Sequence, residues 1–440
     1  MEKAGAAAAA FVATLVGASA QPILVLAGQG NNGGDALVAA RLLADQGYRV
    51  DVVSHASDAS LPQAAADAWR SWRAAGGTAL PDIPQSRQYS LVIDGLFGIG
   101  LQRDITGQEA RWIERVNTFH CPRLALDIPS GLDSDSGRIR GHALRVDHTL
   151  TFIGLKPGLL TADGPDVCGK LHLDTLGVDL QTEPSTLGIA LTGLENRHRL
   201  PRRARNSHKG QYGHIGILGG SPGMVGAALI AGRAALDHGA GSVTLGVLDE
   251  RIVVDYGEPR LMFSAPENLL DRHTTVLAVG PGLGQSPRAQ ALLERALSAS
   301  CPLVLDADAL NLLASDPALI QQTTRRHAPT LITPHPGEAA RLLGVDTAAI
   351  QHNRLEAAHR LSALTHAHVA LKGAGTVIVH PDGHYAINTS GSAWLAQAGS
   401  GDRLTGMVAA LLGQGMAAGD ALEAAVWLHG NAALRPEGPV

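Results

Sequence analysis

Ile23-Leu24-Val25-Leu26-Ala27-Gly28-Gln29-Gly30-Asn31-Asn32-Gly33-Gly34-Asp35-Ala36-Leu37 decides the fold of the first half of this chain. An unbroken apolar run at Ile23–Ala27 suits a strand buried on both faces, the kind found in parallel sheets. A polar, glycine-rich turn follows it, and Asp35–Gln46 has helical spacing. Strand, glycine turn and helix open a doubly wound domain, whose ligands bind outside the carboxyl ends of the strands.

The same alternation continues outward from that stretch. Arg49–Ser54, Leu91–Asp94, Arg123–Asp127 and His148–Phe152 read as further short strands, and Gln63–Ala75 and Gln108–Asn117 as helices. Around 180–205 the texture becomes polar and Pro- and Arg-containing, without a period. Strands resume at Gly213–Leu218, Ser242–Val247, Thr275–Val279, Pro302–Asp306, Thr330–Ile332, His368–Lys372 and Thr376–His380. The expected class is therefore α/β, a Rossmann-like doubly wound domain over 1–183, a linker over 184–204 and a second α/β domain over 205–440.

Composition agrees with this division. A chain of 440 residues exceeds one ordinary domain of ~100–200 residues. With 45% hydrophobic and 17% charged residues it has the makeup of a folded α/β protein. A net charge of −5 gives no general attraction for nucleic acid or an anionic membrane, so small-molecule partners are expected. Cys121, Cys168 and Cys301 are too few and too scattered for a disulfide framework or a zinc site, which fits a reducing cytoplasm. Lys3, Ala6–Val16 and Ala18-Ser19-Ala20 imitate a signal peptide. Glu2 and the position of Pro22 favour instead an Ala-rich helix that feeds the first strand.

Gly28–Gly33 contains GxGxxG, yet the second strand ends in Ser54-His55 rather than in the acid that would hold a ribose, and Asp51 lies too early. Two asparagines and an aspartate make this turn more polar than a pyrophosphate needs, and suited to a cation and to ribose or nicotinamide amides. Asp94 and Asp127 each end an apolar strand, so each faces a ligand crevice or merely caps a helix or turn.

Gly30–Asp35, Asp94–Gly100, Asp127-Ile128-Pro129-Ser130-Gly131 and Thr151–Gly158 together resemble the NAD(P)H-hydrate epimerase domain. The resemblance implies a potassium ion on Asn32, Asp94 and Ser130. It implies that the hydrated nicotinamide nucleotide is held by Asn31, Asn32, Gly33, Gly34, Asp35, Gly98, Ile99, Gly100, Leu101, Gln102, Arg103, Asp104 and Asp127. Asp127 would be the acid/base for reversible ring opening or for loss of the hydroxyl. Relatives carry a further helix ahead of a segment like Glu2-Lys3-Ala4-Gly5, and a glycine where Ala36 stands.

In the second half, Gly399-Ser400-Gly401-Asp402 precedes the apolar stretch Leu404–Leu412. Small residues let backbone N–H groups close on a phosphate, a helix N-terminus adds positive potential, and a carboxylate beside it can take a hydroxyl proton. Its companions are Gly280-Pro281-Gly282-Leu283-Gly284, Asp306-Ala307-Asp308-Ala309-Leu310-Asn311, Thr333-Pro334-His335-Pro336-Gly337-Glu338 and Lys372-Gly373-Ala374-Gly375-Thr376. With His208–Gly213 and Gly219-Gly220-Ser221 to Ala227, these motifs run in the order of the ADP/ATP-dependent NAD(P)H-hydrate dehydratase domain, which is ribokinase-like.

That resemblance implies adenine-nucleotide binding by Lys372, Gly373, Ala374, Gly375, Thr376 and Gly401, and hydrate binding by Ala227, Gly284, His335 and Asp402. Asp402 would be the catalytic base, and Mg²⁺ would accompany ADP or ATP. Gln397-Ala398 and Arg403 depart from the family pattern, and the chain stops soon after Trp427–Gly430. The resemblance implies a bifunctional repair enzyme for NAD(P)H hydrates, and a homo-oligomer is expected. Two other readings stay open at this point: a small-alcohol kinase fused to a binding domain, and a non-catalytic nucleotide-binding paralogue.

Overall fold

The computed structural model describes residues 1–17, 21–56, 61–179, 188–195, 198 and 203–433. The chain divides into two compact units, Met1–Thr186 and Leu187–Val440.

The first unit holds a seven-stranded sheet of β1 (Ile23–Ala27), β2 (Val50–Val53), β3 (Ala79–Leu80), β4 (Leu91–Gly95), β5 (Arg123–Leu126), β6 (His148–Phe152) and β7 (Lys170–Asp174). Its order is β3-β2-β1-β4-β5-β6-β7, and every pair is parallel. The strand order reverses direction between β1 and β4, which opens a crevice at their carboxyl ends. Helices Glu2–Val16, Asn31–Asp45 and Gln63–Ala74 share one apolar core with the sheet, and Gly107–Asn117 shares a second. The Ala-rich N-terminal stretch is thus a helix with Ala4, Ala8 and Val12 buried, while 18–20 lie outside the described residues.

The helix after β1 begins at Asn31, four residues before the expected Asp35. Asn and Gly form helices poorly, so the stretch looks like a loop. Packing reverses that preference, because a Cβ at Gly33 would stand 2.0 Å from the Gly28 carbonyl oxygen. Only glycine lets the first helical turn lie against the glycine turn.

The second unit is built on a ten-stranded sheet. Its strands are β8 (Gly188–Leu191), β9 (His214–Gly219), β10 (Ser242–Val247), β11 (Met262–Ser264), β12 (Val276–Val279), β13 (Leu303–Leu305), β14 (Thr330–Ile332), β15 (His368–Leu371), β16 (Val377–Val379) and β17 (Tyr385–Asn388). The order is β11-β10-β9-β12-β13-β14-β15-β16-β17-β8. β16 is antiparallel to both neighbours, and the run from β11 to β15 is parallel. Helices Val225–Asp237, Ser400–Gly413 and Ala418–Ala432 share one core with this sheet. The alternate strand residues Leu277, Leu303, Leu305, Val369 and Leu371 are buried too, so both faces are covered.

The stretch read as a linker, 184–204, contributes β8 to the edge of this sheet, paired with β17 from Gly188 to Leu191. Within it His198 is buried, with Nε2 2.8 Å from Glu423 Oε2. Residues 184–187, 196–197 and 199–202 lie outside the described residues. No helix among the described residues is long and apolar enough to cross a membrane.

Candidate active sites

In the first unit the chemistry gathers at the carboxyl ends of β1, β4 and β5. Asp94, only 1% exposed, ends β4. Its Oδ2 accepts from Ser130 N at 2.8 Å and its Oδ1 from Ser130 Oγ at 2.6 Å. Burial raises the Asp94 carboxyl to about 6, against the Ser130 hydrogen bonds that favour its charge. Asn32 Nδ2 donates to the Phe97 and Leu126 carbonyls at 2.9 and 3.0 Å, while its Oδ1 is buried and takes no hydrogen bond among the described residues. Buried oxygens of an amide, a carboxylate and a hydroxyl, beside two carbonyls, form a donor set fitted to a hard cation. No group of three His, Cys, Asp or Glu suited to a metal occurs among the described residues.

Asp127 follows β5 with φ at 64°, a left-handed backbone rare for a non-glycine residue. Its Oδ1 accepts from Lys156 Nζ in a short ion pair, from Phe152 N at 3.1 Å and from Thr151 Oγ1 at 3.3 Å. Asp35, in the first turns of Asn31–Asp45, is pushed up to about 7, first by burial and further by the charge of Asp127, against the N-terminal amine. Asp35 Oδ1 also lies 3.8 Å from the N-terminal amine. Lys156 lies inside the Thr151–Gly158 motif, but no role falls to it on sequence alone; its approach to Asp127 depends on β5 and β6 lying side by side.

Gly98–Asp104 forms the connection from β4 towards Gly107–Asn117. Gly98 approaches Asn32, where an added Cβ would stand 3.2 Å from Asn32 Cβ. Ile99, Gly100, Gln102, Arg103 and Asp104 are exposed, whereas Leu101 packs into the core with Ile105 and Trp112. Leu101 therefore anchors the loop from inside. Asn31 is exposed at the helix start, and no side chain among the described residues caps that end, which suits its first N–H groups to an anion.

In the second unit the glycine-rich and acidic motifs converge at the carboxyl ends of β9, β12, β13, β14 and β15. Ser221 N donates to Gly282 O at 2.6 Å, which lays the Gly219–Ser221 turn along the Gly280–Gly284 turn. Gly284 N donates to Asp308 Oδ2 at 2.8 Å. Ala227 sits in the first turn of Val225–Asp237. Asp306, only 1% exposed, accepts from Lys372 Nζ at 2.8 Å on one oxygen and from Thr405 Oγ1 at 2.7 Å on the other. Ala307, between the two aspartates, has φ at 49°.

Helix Ser400–Gly413 starts from Gly399 at φ 84°, and no side chain among the described residues caps it. Gly401 lies so near the ammonium that an added Cβ would stand 3.0 Å from Lys372 Nζ. Asp402 is raised to about 6, mainly by burial and by the Asp306 charge, with Lys372 opposing. Burial disfavours the Lys372 ammonium, but the Asp306 and Glu338 charges outweigh that and raise it. Asp402 thus stands half-buried beside an uncapped helix end and a fixed cation, an arrangement suited to accept a hydroxyl proton next to a transferring phosphoryl group.

The surrounding residues are more structured than their motifs suggest. His335 Nδ1 accepts from Gly337 N at 2.9 Å, capping the helix Pro336–Leu343, and Glu338 Oε2 accepts from His335 N at 2.8 Å. Burial lowers His335, with Lys372 adding to it, while burial raises Glu338 to about 7. Under the Lys372–Thr376 loop lies the buried Arg354, whose guanidinium donates to the Leu371 and Lys372 carbonyls at 3.1 and 3.2 Å. Gly373, at φ 147°, leaves room for it, since a Cβ there would stand 2.7 Å from Arg354 Nη1. Arg354 has no signature in sequence, because it enters from the helix Arg354–Thr365, outside the quoted motifs, and Thr405 has none because it sits within the apolar stretch after Asp402. Arg403 is exposed.

Each unit is thus an α/β enzyme-type domain with a carboxylate-bearing crevice at its strand ends, and the second sets a helix start, a lysine and a carboxylate together in a way suited to phosphoryl transfer. Residues 215–437 match the NAD(P)H-hydrate dehydratase family and residues 1–158 the family described as YjeF-related protein N-terminus. A bifunctional NAD(P)H-hydrate repair enzyme of Escherichia coli K12 is 41% identical over 420 residues, covering 93% of this chain and 80% of that protein. Its counterpart in Moorella thermoacetica is 38% identical over 439 residues, covering 93% and 82%. The crystal structure of an ADP/ATP-dependent NAD(P)H-hydrate dehydratase from Bacillus subtilis, co-crystallised with ATP/Mg²⁺, covers 53% of this chain and 84% of that one at 36% identity, with TM-score 0.47. The chain belongs to the family of bifunctional NAD(P)H-hydrate repair enzymes. Its second unit is the NAD(P)H-hydrate dehydratase domain of that family, and the two matches leave no place for an unrelated binding domain fused to a kinase.

Proposed function

We propose that the chain restores hydrated NADH and NADPH at two separate sites. The first unit interconverts the R and S hydrates, and the second dehydrates the S hydrate with ADP or ATP. The observation that carries this reading is Asp402, raised to about 6 at the uncapped start of Ser400–Gly413 beside the Lys372 ammonium.

In the second unit, Asp402 takes the proton from the ring hydroxyl as its oxygen attacks the terminal phosphorus, and the bond to the nucleotide's leaving oxygen breaks. The Lys372 ammonium and the backbone N–H groups from Gly399 to Asp402 stabilise the charge on the transferring group. Hydroxide leaves poorly and phosphate leaves well, so elimination of phosphate with loss of a ring proton restores the dihydronicotinamide. Ala227, Gly284 and His335 line the hydrate, and Lys372–Thr376 with Gly401 hold the nucleotide. Mg²⁺ carried in on the nucleotide would neutralise phosphate charge beside these residues.

In the first unit, Asp127 exchanges a proton with the hydrate, which is contacted by Asn31–Asp35 and by the loop Gly98–Asp104. Asn32, Asp94 and Ser130 would hold a potassium ion, which supplies a fixed positive charge in the crevice. The orphaned Oδ1 of Asn32 supports that assignment.

NADH recovery from mixed R and S hydrates, followed by dihydronicotinamide absorbance, tests both halves. Recovery should need ADP or ATP with Mg²⁺, pass half of the mixture only when the first site works, and quicken with K⁺. Asp127→Asn should stop R-to-S conversion and leave S dehydration intact. Recovery without nucleotide, or none under any condition, overturns the reading, the latter in favour of a non-catalytic paralogue.

A further inference from the structure

The stretch Thr151–Gly158 closes the carboxyl end of β6 and brings a lysine against Asp127. The Lys156 ammonium has three acceptors within the unit: Asp127 Oδ1, Thr151 Oγ1 at 2.9 Å and Phe152 O at 2.9 Å. An ammonium has three donors and no acceptor. None is left for a ligand, so Lys156 acts as a fixed charge and not as a proton source.

That charge is aimed at one oxygen. Thr151 Oγ1 accepts from Lys156 and passes its own hydrogen to Asp127 Oδ1, and Phe152 N donates to the same oxygen. Asp127 Oδ2 takes no hydrogen bond among the described residues. The pair is 15% and 17% exposed, so solvent screens it only in part. The left-handed backbone of Asp127 is rare for a non-glycine residue and holds only where its surroundings over-determine it. Three donors on Oδ1 supply that constraint.

We propose that Lys156 is the positioning residue that presents Asp127 Oδ2 as the acid/base of hydrate epimerisation. The inference rests on the epimerase reading of this site. In ring opening, Asp127 takes the hydroxyl proton and the O–H electrons form the C6=O bond. The C6–N1 pair moves to N1, which takes that proton from Asp127. Rotation about C5–C6 presents the other carbonyl face. N1 then attacks C6 and returns its proton to Asp127, which passes it to the oxygen, so nothing is consumed.

The test follows conversion of purified R hydrate to S hydrate by chromatography, on the full chain with K⁺ present. Lys156→Met should lose ~10²–10⁴-fold in kcat while KM changes by less than about threefold. Lys156→Arg should recover most of the loss, and added ethylammonium should partly rescue Lys156→Ala. S dehydration should be unchanged in every variant. A purely structural lysine would answer to neither the conservative replacement nor the amine. The inference fails if Lys156→Met keeps kcat within about threefold of the parent, or if Met and Arg variants are equally impaired without amine rescue. A parent chain that dehydrates the S hydrate but never interconverts R and S overturns the epimerase reading itself, and this inference with it.

Discussion

Lys372 and Asp306 form an ion pair, Nζ to Oδ1 at 2.8 Å, in which the carboxylate is 1% exposed and the ammonium 21%. Thr405 occupies the second carboxylate oxygen, so Asp306 is fully engaged and orients Lys372 instead of meeting a ligand. The pair spans 66 residues of sequence and ties β13 to β15 directly beneath the proposed phosphoryl site.

Breaking this pair should cost stability as well as activity. Lys372→Met leaves a buried carboxylate without its cation, which is typically destabilising by about 3–5 kcal/mol. Denaturant unfolding of the second unit should show the loss, and Asp306→Asn in the same background should recover part of it. An unchanged midpoint in Lys372→Met would contradict the burial of the Asp306 charge.

Asp402 should set the acid limb of dehydration. As a base it works only when ionised, and its carboxyl is raised to about 6, so kcat/KM should rise with pH and level off above that value. Asp402→Asn should lose ~10²–10⁴-fold in turnover while still binding nucleotide. Near-parental turnover in that variant would assign the base elsewhere.

The Asp94 carboxyl should make the first unit less stable as pH rises. Raised to about 6 in the folded state, from an ordinary 3.8, it holds a proton there that the unfolded chain has already released. Its contribution is therefore full below about 4 and is lost as pH climbs to about 6. Asp94→Asn should flatten that slope and abolish any stabilisation by K⁺, both read from thermal unfolding with K⁺ or choline. A K⁺ response that survives in Asp94→Asn would remove Asp94 from the cation site.

Arg403, although adjacent to Asp402 in sequence, is exposed, and the charges that act on Asp402 are those of Asp306, Lys372 and Asp308. Arg403→Val should leave turnover and nucleotide affinity within about twofold, the usual range of a surface change. A larger shift in either, measured by dehydration kinetics and nucleotide titration, would place the guanidinium at the nucleotide after all.

Much of this was legible in the sequence because parallel strands are local signals: short apolar runs located β1, β6, β10 and β14, and the strand ends carry Asp94, Asp127 and Asp306. The edge strands β3, β7, β8 and β11 were not legible, since short, part-exposed segments gain their strand character from a neighbour and not from their own residues, and the interior strand β17 was missed with its neighbour β8. The helical state of Asn31–Gly34 likewise came from close packing of Gly33 on Gly28. The sequence alone determined two α/β domains, their order and the residue types available for acid/base chemistry. Only the tertiary structure decided which of those groups meet. Lys156 reaches Asp127, Thr405 and Lys372 share Asp306, and Arg354 underpins Gly373 because separate strands and helices deliver them to one end of a sheet, and distance along the chain carries no record of that convergence.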